Sequence, residues 1–272
     1  MIKDEIHFLI TTFVLLSGTL LVLLLYLIGR KVFENRHRKR VESYKNKLND
    51  KIVQSIFSGE FLRSLQADSY AKKGAVEELL SHYAEILEGS EEKSNLKKLA
   101  ESHLMGHYRK NLKSMNWSTR MNALYHVEAF DIAGLKEDVL GLLIRRKVSK
   151  EEKIRVLTIL SQFQSAHMFE LLTREYEELS YLEYRNILFR LRDKGFDQFL
   201  LGYHSCQPQL KFAILDLTGL KKDLKYIQFS ETVFSISSGE ERVRALKALV
   251  ALGYVRNLDM FLPLFQSVSW EE

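Results

Sequence analysis

The side chains best suited to chemistry are few and badly spaced for it. The eight histidines include one pair, His103 and His107, four residues apart, as two zinc ligands on one helix face would be. A metalloprotease places Glu directly after the first of them, but Leu104 stands there, and no third ligand is evident. The pair therefore reads as helix-packing histidines, with no metal expected. Cys206 is the single cysteine and follows His204 by two residues. A Cys–His nucleophile needs the two groups brought together by tertiary structure, beside donors for an oxyanion, and loop neighbours two apart rarely satisfy this. The chain contains no Walker loop, GxGxxG or GxSxG motif. The acidic pairs Glu77–Glu78, Glu151–Glu152 and Glu240–Glu241 fall where helices are predicted to begin, and the helix dipole accounts for them. No catalytic residue and no cofactor is expected, and the chain does not read as an enzyme.

The elements that would position any site begin with an uncharged run. No charged side chain occurs from Ile6 to Gly29. At about 1.5 Å per residue the run reaches about 36 Å, against a hydrocarbon core of about 30 Å. A cleaved signal peptide would have a shorter apolar region, a basic start and a small-residue cleavage site. Here Lys3 faces Asp4 and Glu5, and no Ala-x-Ala follows. Residues 1–29 therefore read as a transmembrane anchor. Arg30, Lys31, Arg36, Arg38, Lys39 and Arg40 follow it, which by the positive-inside rule places the N-terminus outside and the rest in the cytoplasm.

Of the net charge of +5, residues 1–29 contribute −1 and residues 30–57 contribute +6, so the remainder is neutral. The excess sits beside the membrane, where those six basic residues are expected to face anionic lipid. A nucleic-acid binder would carry the excess on its folded body, so a nucleic-acid partner is not expected. Two local clusters, Arg145–Arg146–Lys147–Lys150 and Lys221–Lys222–Lys225, read as solvated helix ends or loops. With only 2 prolines and 13 glycines, the body is expected to be all-helical. Residues 30–60 form a basic juxtamembrane helix, with apolar groups at Val41, Tyr44, Leu48, Ile52, Val53 and Ile56; it either continues the anchor or lies along the membrane. Residues 61–112 form a helical cap region, with breaks near Ser58–Glu60 and near Lys73–Gly74 and helices over about 75–87 and 91–112.

From residue 113 a period of roughly thirty emerges. Arg120, Lys153, Arg185, Lys211 and Arg242 are each followed, three and four positions on, by apolar side chains. A second apolar helix follows each, over 139–144, 168–172, 196–201, 224–229 and 258–265. A hairpin of this kind cannot bury its apolar side alone, and stacking supplies the cover. The segment GEERVRALKALVALGYVRNLDMFLPLF, Gly239 to Phe265, with Leu252–Gly253 and Pro263, and the opening Asn116–Trp117–Ser118–Thr119–Arg120, resemble the short repeats of the HEAT superfamily. The resemblance spans about 113–272 and implies an α-solenoid. The unit over 207–236 departs from it, being short and lacking an acidic opening. Ser269–Trp270 resembles the start of a further unit, so the final repeat is expected to be truncated.

These readings combine into a membrane-tethered scaffold that presents a cytoplasmic solenoid to a protein partner, with the anchor suggesting a bacterial inner-membrane protein. Arg120, Arg185, Lys211 and Arg242, with Tyr181 and Tyr184 as exposed contact residues, are the candidate binding groups, although a salt-bridge or hydrogen-bond ladder between repeats is the favoured reading of the basic series. Two alternatives stand beside it: a HEAT-like enzyme, since some relatives resemble bilin lyases or DNA glycosylases, and an anionic-lipid-binding scaffold using residues 30–57.

Overall fold

A computed structural model describes residues 2–253 other than 61, 63, 64, 66, 67, 146, 147 and 177, with the backbone alone for 2–6, 8 and 9. The expected helix over 258–265, Pro263 and Trp270 lie outside the described residues. Among those described there are twelve α-helices and no strand. The chain divides into two compact units, Met1–His107 and Tyr108–Glu272.

In the first unit, α1 (Ile2–Ser58) is a single unbroken helix, about 85 Å long at about 1.5 Å per residue. Nothing in it breaks the helix: it lacks proline, and Gly18 and Gly29 stand alone in a run of strong helix formers. The juxtamembrane segment therefore continues the axis of the apolar run. Gly59 ends the helix at φ +72°, where its amide donates to the Ser55 carbonyl at 3.0 Å.

α2 (Tyr70–Ile86) runs parallel to α1. Tyr70 meets His37, Gly74 lies against Val41, Glu78 pairs with Lys45 at 3.2 Å, and Tyr83 donates to Asn49 at 2.7 Å. The break expected near Gly74 is absent: the glycine sits inside α2, facing the Val41 side chain of α1. Glu77 and Glu78 accordingly lie in mid-helix and not at a helix start. α3 (Ser90–Leu112) returns antiparallel to α1, since the Asn95 amide donates to the Ile56 carbonyl at 3.0 Å while His107 lines a cavity with Glu34, His37 and Val41. The buried stripe Val41, Leu48, Ile52 and Ile56 of α1 packs on this pair, as its spacing required.

The second unit begins near the end of α3 and repeats a pattern of helix pairs. Its first helices are α4 (Trp117–Ala129), α6 (Lys150–Gln162), α8 (Tyr181–Phe189), α10 (Pro208–Lys221) and α12 (Gly239–Leu252). Each packs on the next in chain order. The second helices are α5 (Lys136–Leu140), α7 (Met168–Glu170), which runs on into a π turn over Leu171–Glu175, α9 (Asp193–Leu201) and α11 (Ile227–Ile236). Polar caps set the starts: Asn116, Ser149 and Ser180 accept from backbone amides of the first turn, and Pro208 opens α10. Helix α6, flanked by α4 and α8, buries Val156, Leu157, Ile159 and Leu160 together. Where α10 meets α12, a Cβ on Gly219 would stand 3.1 Å from the Ala248 backbone, so the two helices approach closely at this glycine.

Candidate interaction surfaces

The caps at Asn116, Ser149, Ser180, Gln207 and Ser238 give the repeat its true register. The fourth position past each cap is Arg120, Lys153, Tyr184, Lys211 and Arg242 in turn. Arg185 is therefore one position out of line, and Tyr184 fills its place in the series. The shift arises because the step from Ser149 to Ser180 is one residue shorter than the step from Lys153 to Arg185; periodicity in side-chain type cannot fix a register that caps decide. Tyr184 is fully buried, contrary to the expectation of an exposed contact. Its ring lies in the core, and its hydroxyl donates to the Tyr176 carbonyl at 2.9 Å.

The basic series points between repeats, not into solvent. Arg120 forms a fork with Glu152: Nε to Oε1 at 2.5 Å and Nη2 to Oε2 at 2.8 Å, with Glu152 wholly buried. The Glu152 hydrogen bonds hold the Arg120 pKa above its ordinary value, ahead of the opposing effect of burial. The remaining Nη1 donates to the carbonyls of Ser114 and Met115, both at 3.0 Å. Three repeats on, Lys211 pairs with Glu241 at 3.3 Å and lies 5.3 Å from the Tyr203 ring centroid. In both pairs the base is the fourth residue after its cap and the acid is the third residue of the next first helix. Lys153 instead caps the Tyr176 ring at 5.7 Å, and Arg242 covers the Phe234 ring at 5.0 Å. The sequence contained this pattern in the acids Glu152, Glu183 and Glu241, each three residues after its cap, but the basic residues alone do not reveal it.

Tyr181, the other expected contact residue, is half-buried, and its hydroxyl donates to Asp216. Burial, ahead of the Asp216 contact, raises its pKa. Asp216 also accepts from Arg244 at 2.5 Å, while the Arg244 guanidinium is sandwiched between the Tyr181 and Phe212 rings at 4.8 and 4.9 Å. This cluster ties α8, α10 and α12 together. Arg185 is half-buried as well.

The exposed apolar groups lie elsewhere. Along α4, α6 and α8, a groove of about 810 Å³ is lined by Met121, Ile154, Thr158, Asn186 and Phe189. Phe189 is 65% exposed. The arginines of its rim are held in place: Glu128 accepts from Arg155 at 2.5 Å and from Arg190 at 2.8 Å. A second exposed group sits where the chain enters α4 and α6. Met115 is 94% exposed and Ile144 88%, with Trp117 half out of its surroundings.

Cys206 is buried, and desolvation pushes its thiol up to about 11, so no thiolate forms near neutral pH. The His103 Nε2 is buried without a hydrogen-bond partner, and burial lowers its pKa. No cluster of three His, Cys, Asp or Glu able to hold a metal occurs among the described residues. The basic residues between Arg30 and Arg40 are exposed along the continuous α1, with Arg38 also lining the cavity shared with His37 and His107. Compared with known protein families, with curated proteins and with solved structures, the chain matches none.

Proposed function

We propose that the chain is a membrane-tethered interaction scaffold: α1 anchors it by its apolar end, and the second unit is a HEAT-like solenoid that offers the groove over α4, α6 and α8 to a protein partner on the cytoplasmic side. The exposure of Phe189 in a groove whose rim arginines are already paired within the chain carries this reading. A large apolar side chain left in water beside a preset polar rim is the composition of a docking centre. Two further features support it. One helix is long and apolar enough to cross a membrane, and the basic excess follows that run directly. The two-fold use of one base–acid register, at Arg120–Glu152 and Lys211–Glu241, supports stacked equivalent hairpins. Because α1 continues unbroken, Arg36 to Arg40 stand about 9–15 Å beyond Arg30 along its axis. Arg30 and Lys31 then lie at headgroup level, while the other four stand about a Debye length or more away, where salt weakens their attraction to lipid.

The test is a photo-crosslinking amino acid at position 189 of the full chain in its native membrane. A single protein adduct at this site, lost when crosslinking starts from the exposed Leu201 instead, is the expected result. Absence of any protein adduct from position 189, with the chain folded and membrane-bound, overturns the reading.

A further inference from the structure

We infer that the cavity between α1, α2 and α3 binds a small water-soluble zwitterion in which a phosphate is joined to an ammonium. The cavity encloses about 310 Å³ and lies wholly within the first unit, apart from the groove over α4, α6 and α8. Its lining carries charge of both signs: Glu34 and Arg38 from α1 and Lys73 from α2, with the imidazoles of His37 and His107 beside them.

The packing contacts fix how these groups are stacked along the helices. His37 with Tyr70, Val41 with Gly74 and Lys45 with Glu78 match positions 33 apart on the parallel α1 and α2. Lys73 therefore stands level with position 40 of α1, about 3 Å along the axis from Arg38. Glu34 stands about 6 Å from Arg38 in the other direction, toward the apolar run. Two cations and two imidazoles suit a phosphate, whose charge at neutral pH approaches two. The carboxylate about one turn away suits an ammonium joined to it. Tyr70, 74% exposed, lays its ring 5.1 Å from that of His37 and offers the ammonium an aromatic face. Glu77, one turn past Lys73, and Glu78, already held by Lys45 at 3.2 Å, lie at the far end.

The chain itself does not use these charges. Among the described residues Glu34, Arg38 and Lys73 make no ion pair and no side-chain hydrogen bond. Glu34 precedes Arg38 by four positions, the spacing at which opposite charges meet on one helix, yet the pair stands open. The sequence shows Arg38 as one member of a basic run; only the packing of α2 brings Lys73 to its level.

A lipid headgroup offers the same chemistry, and the anchor reading decides against it. Arg38 stands nine residues past Gly29, about 14 Å beyond the apolar run, whereas headgroups occupy about 5–8 Å on each side of the hydrocarbon. Phosphatidylethanolamine also carries its phosphate nearer the bilayer than its ammonium, and here the cations are farther from the bilayer than Glu34.

The test uses the full chain with ring-labelled histidine in phosphatidylcholine nanodiscs and O-phosphoethanolamine as the probe. H37Q and H107Q assign the two cavity resonances, and His126 of the second unit is the control. Saturable shifts of His37 and His107, with His126 unmoved, are expected at millimolar probe. Inorganic phosphate and ethanolamine, added separately, should each bind about tenfold more weakly, and R38Q and K73Q should each weaken the probe about tenfold, the worth of one charge-assisted contact. E34Q should bind phosphoethanolamine no better than ethyl phosphate. Absence of shifts at His37 and His107 overturns the site. Equal binding of inorganic phosphate, or indifference to R38Q, K73Q and E34Q, overturns the zwitterion assignment. The same shifts produced by phosphatidylethanolamine nanodiscs without added probe overturn the choice of a solute over a lipid.

Discussion

Breaking the Arg120–Glu152 fork tests the register that organises the second unit. Glu152 is fully buried, and the Arg120 side chain is 7% exposed. Replacing Glu152 by Gln leaves the guanidinium charge buried and half of its fork unmatched. Removing one partner of a buried pair costs about 3–5 kcal/mol, a large share of the total stability of about 5–15 kcal/mol for a domain. For a unit of this size each kcal/mol lowers the melting temperature by about 2–4 °C, so E152Q should melt about 6–20 °C early. R120M/E152M removes both charges and their desolvation together and should recover most of the loss. K211M supplies the control: the same register is occupied by a pair with side chains 19% and 24% exposed, and about 1 kcal/mol is expected from it. Urea unfolding of the W270F protein in detergent, followed by Trp117 emission, reports this unit alone. The double-mutant cycle of R120M, E152M and R120M/E152M should give a coupling of at least about 2 kcal/mol. If E152M and R120M each cost less than about 1 kcal/mol and simply add in R120M/E152M, the fork is not the buried pair described, and the shared register falls with it.

Three further outcomes are expected. Cys206 should resist thiol reagents in the folded chain near neutral pH and react rapidly in urea, as thiol titration with and without denaturant will measure; its burial keeps it protonated up to about 11. His103 binds its proton less readily folded than unfolded, where its value is 6.5, so stability should fall as pH drops through 6.5 and level off below the lowered folded value. H103L should flatten that slope in melts taken on either side of the unfolded value. R244K should cost about 1–2 kcal/mol in urea unfolding, because an ammonium can neither stack between Tyr181 and Phe212 nor present two donors in one plane to Asp216 and Glu240.

Much of this architecture is written in local sequence. The uncharged run from Ile6 to Gly29, the scarcity of proline and glycine, and the polar residues before each apolar helix are matters of short-range chemistry. They announce a long membrane-compatible helix and an all-helical body, because helix propensity and capping act within a turn or two. Whether residues 30–58 continue the apolar run was not legible, since amphipathic spacing suits a surface helix equally; the parallel packing of α2 along α1 supports the helix past the charged segment. The direction of each repeated base also lay beyond the sequence. Arg120 is inward because the neighbouring helix α6 supplies Glu152, a partner 32 residues away, and Tyr184 is inward with its hydroxyl on the Tyr176 carbonyl. Likewise, no local rule brings Trp117 to Ser149 or exposes Phe189 over a groove. What each segment becomes is decided by forces that act within one helical turn; only tertiary packing decides which charges are matched and which apolar groups are left facing out.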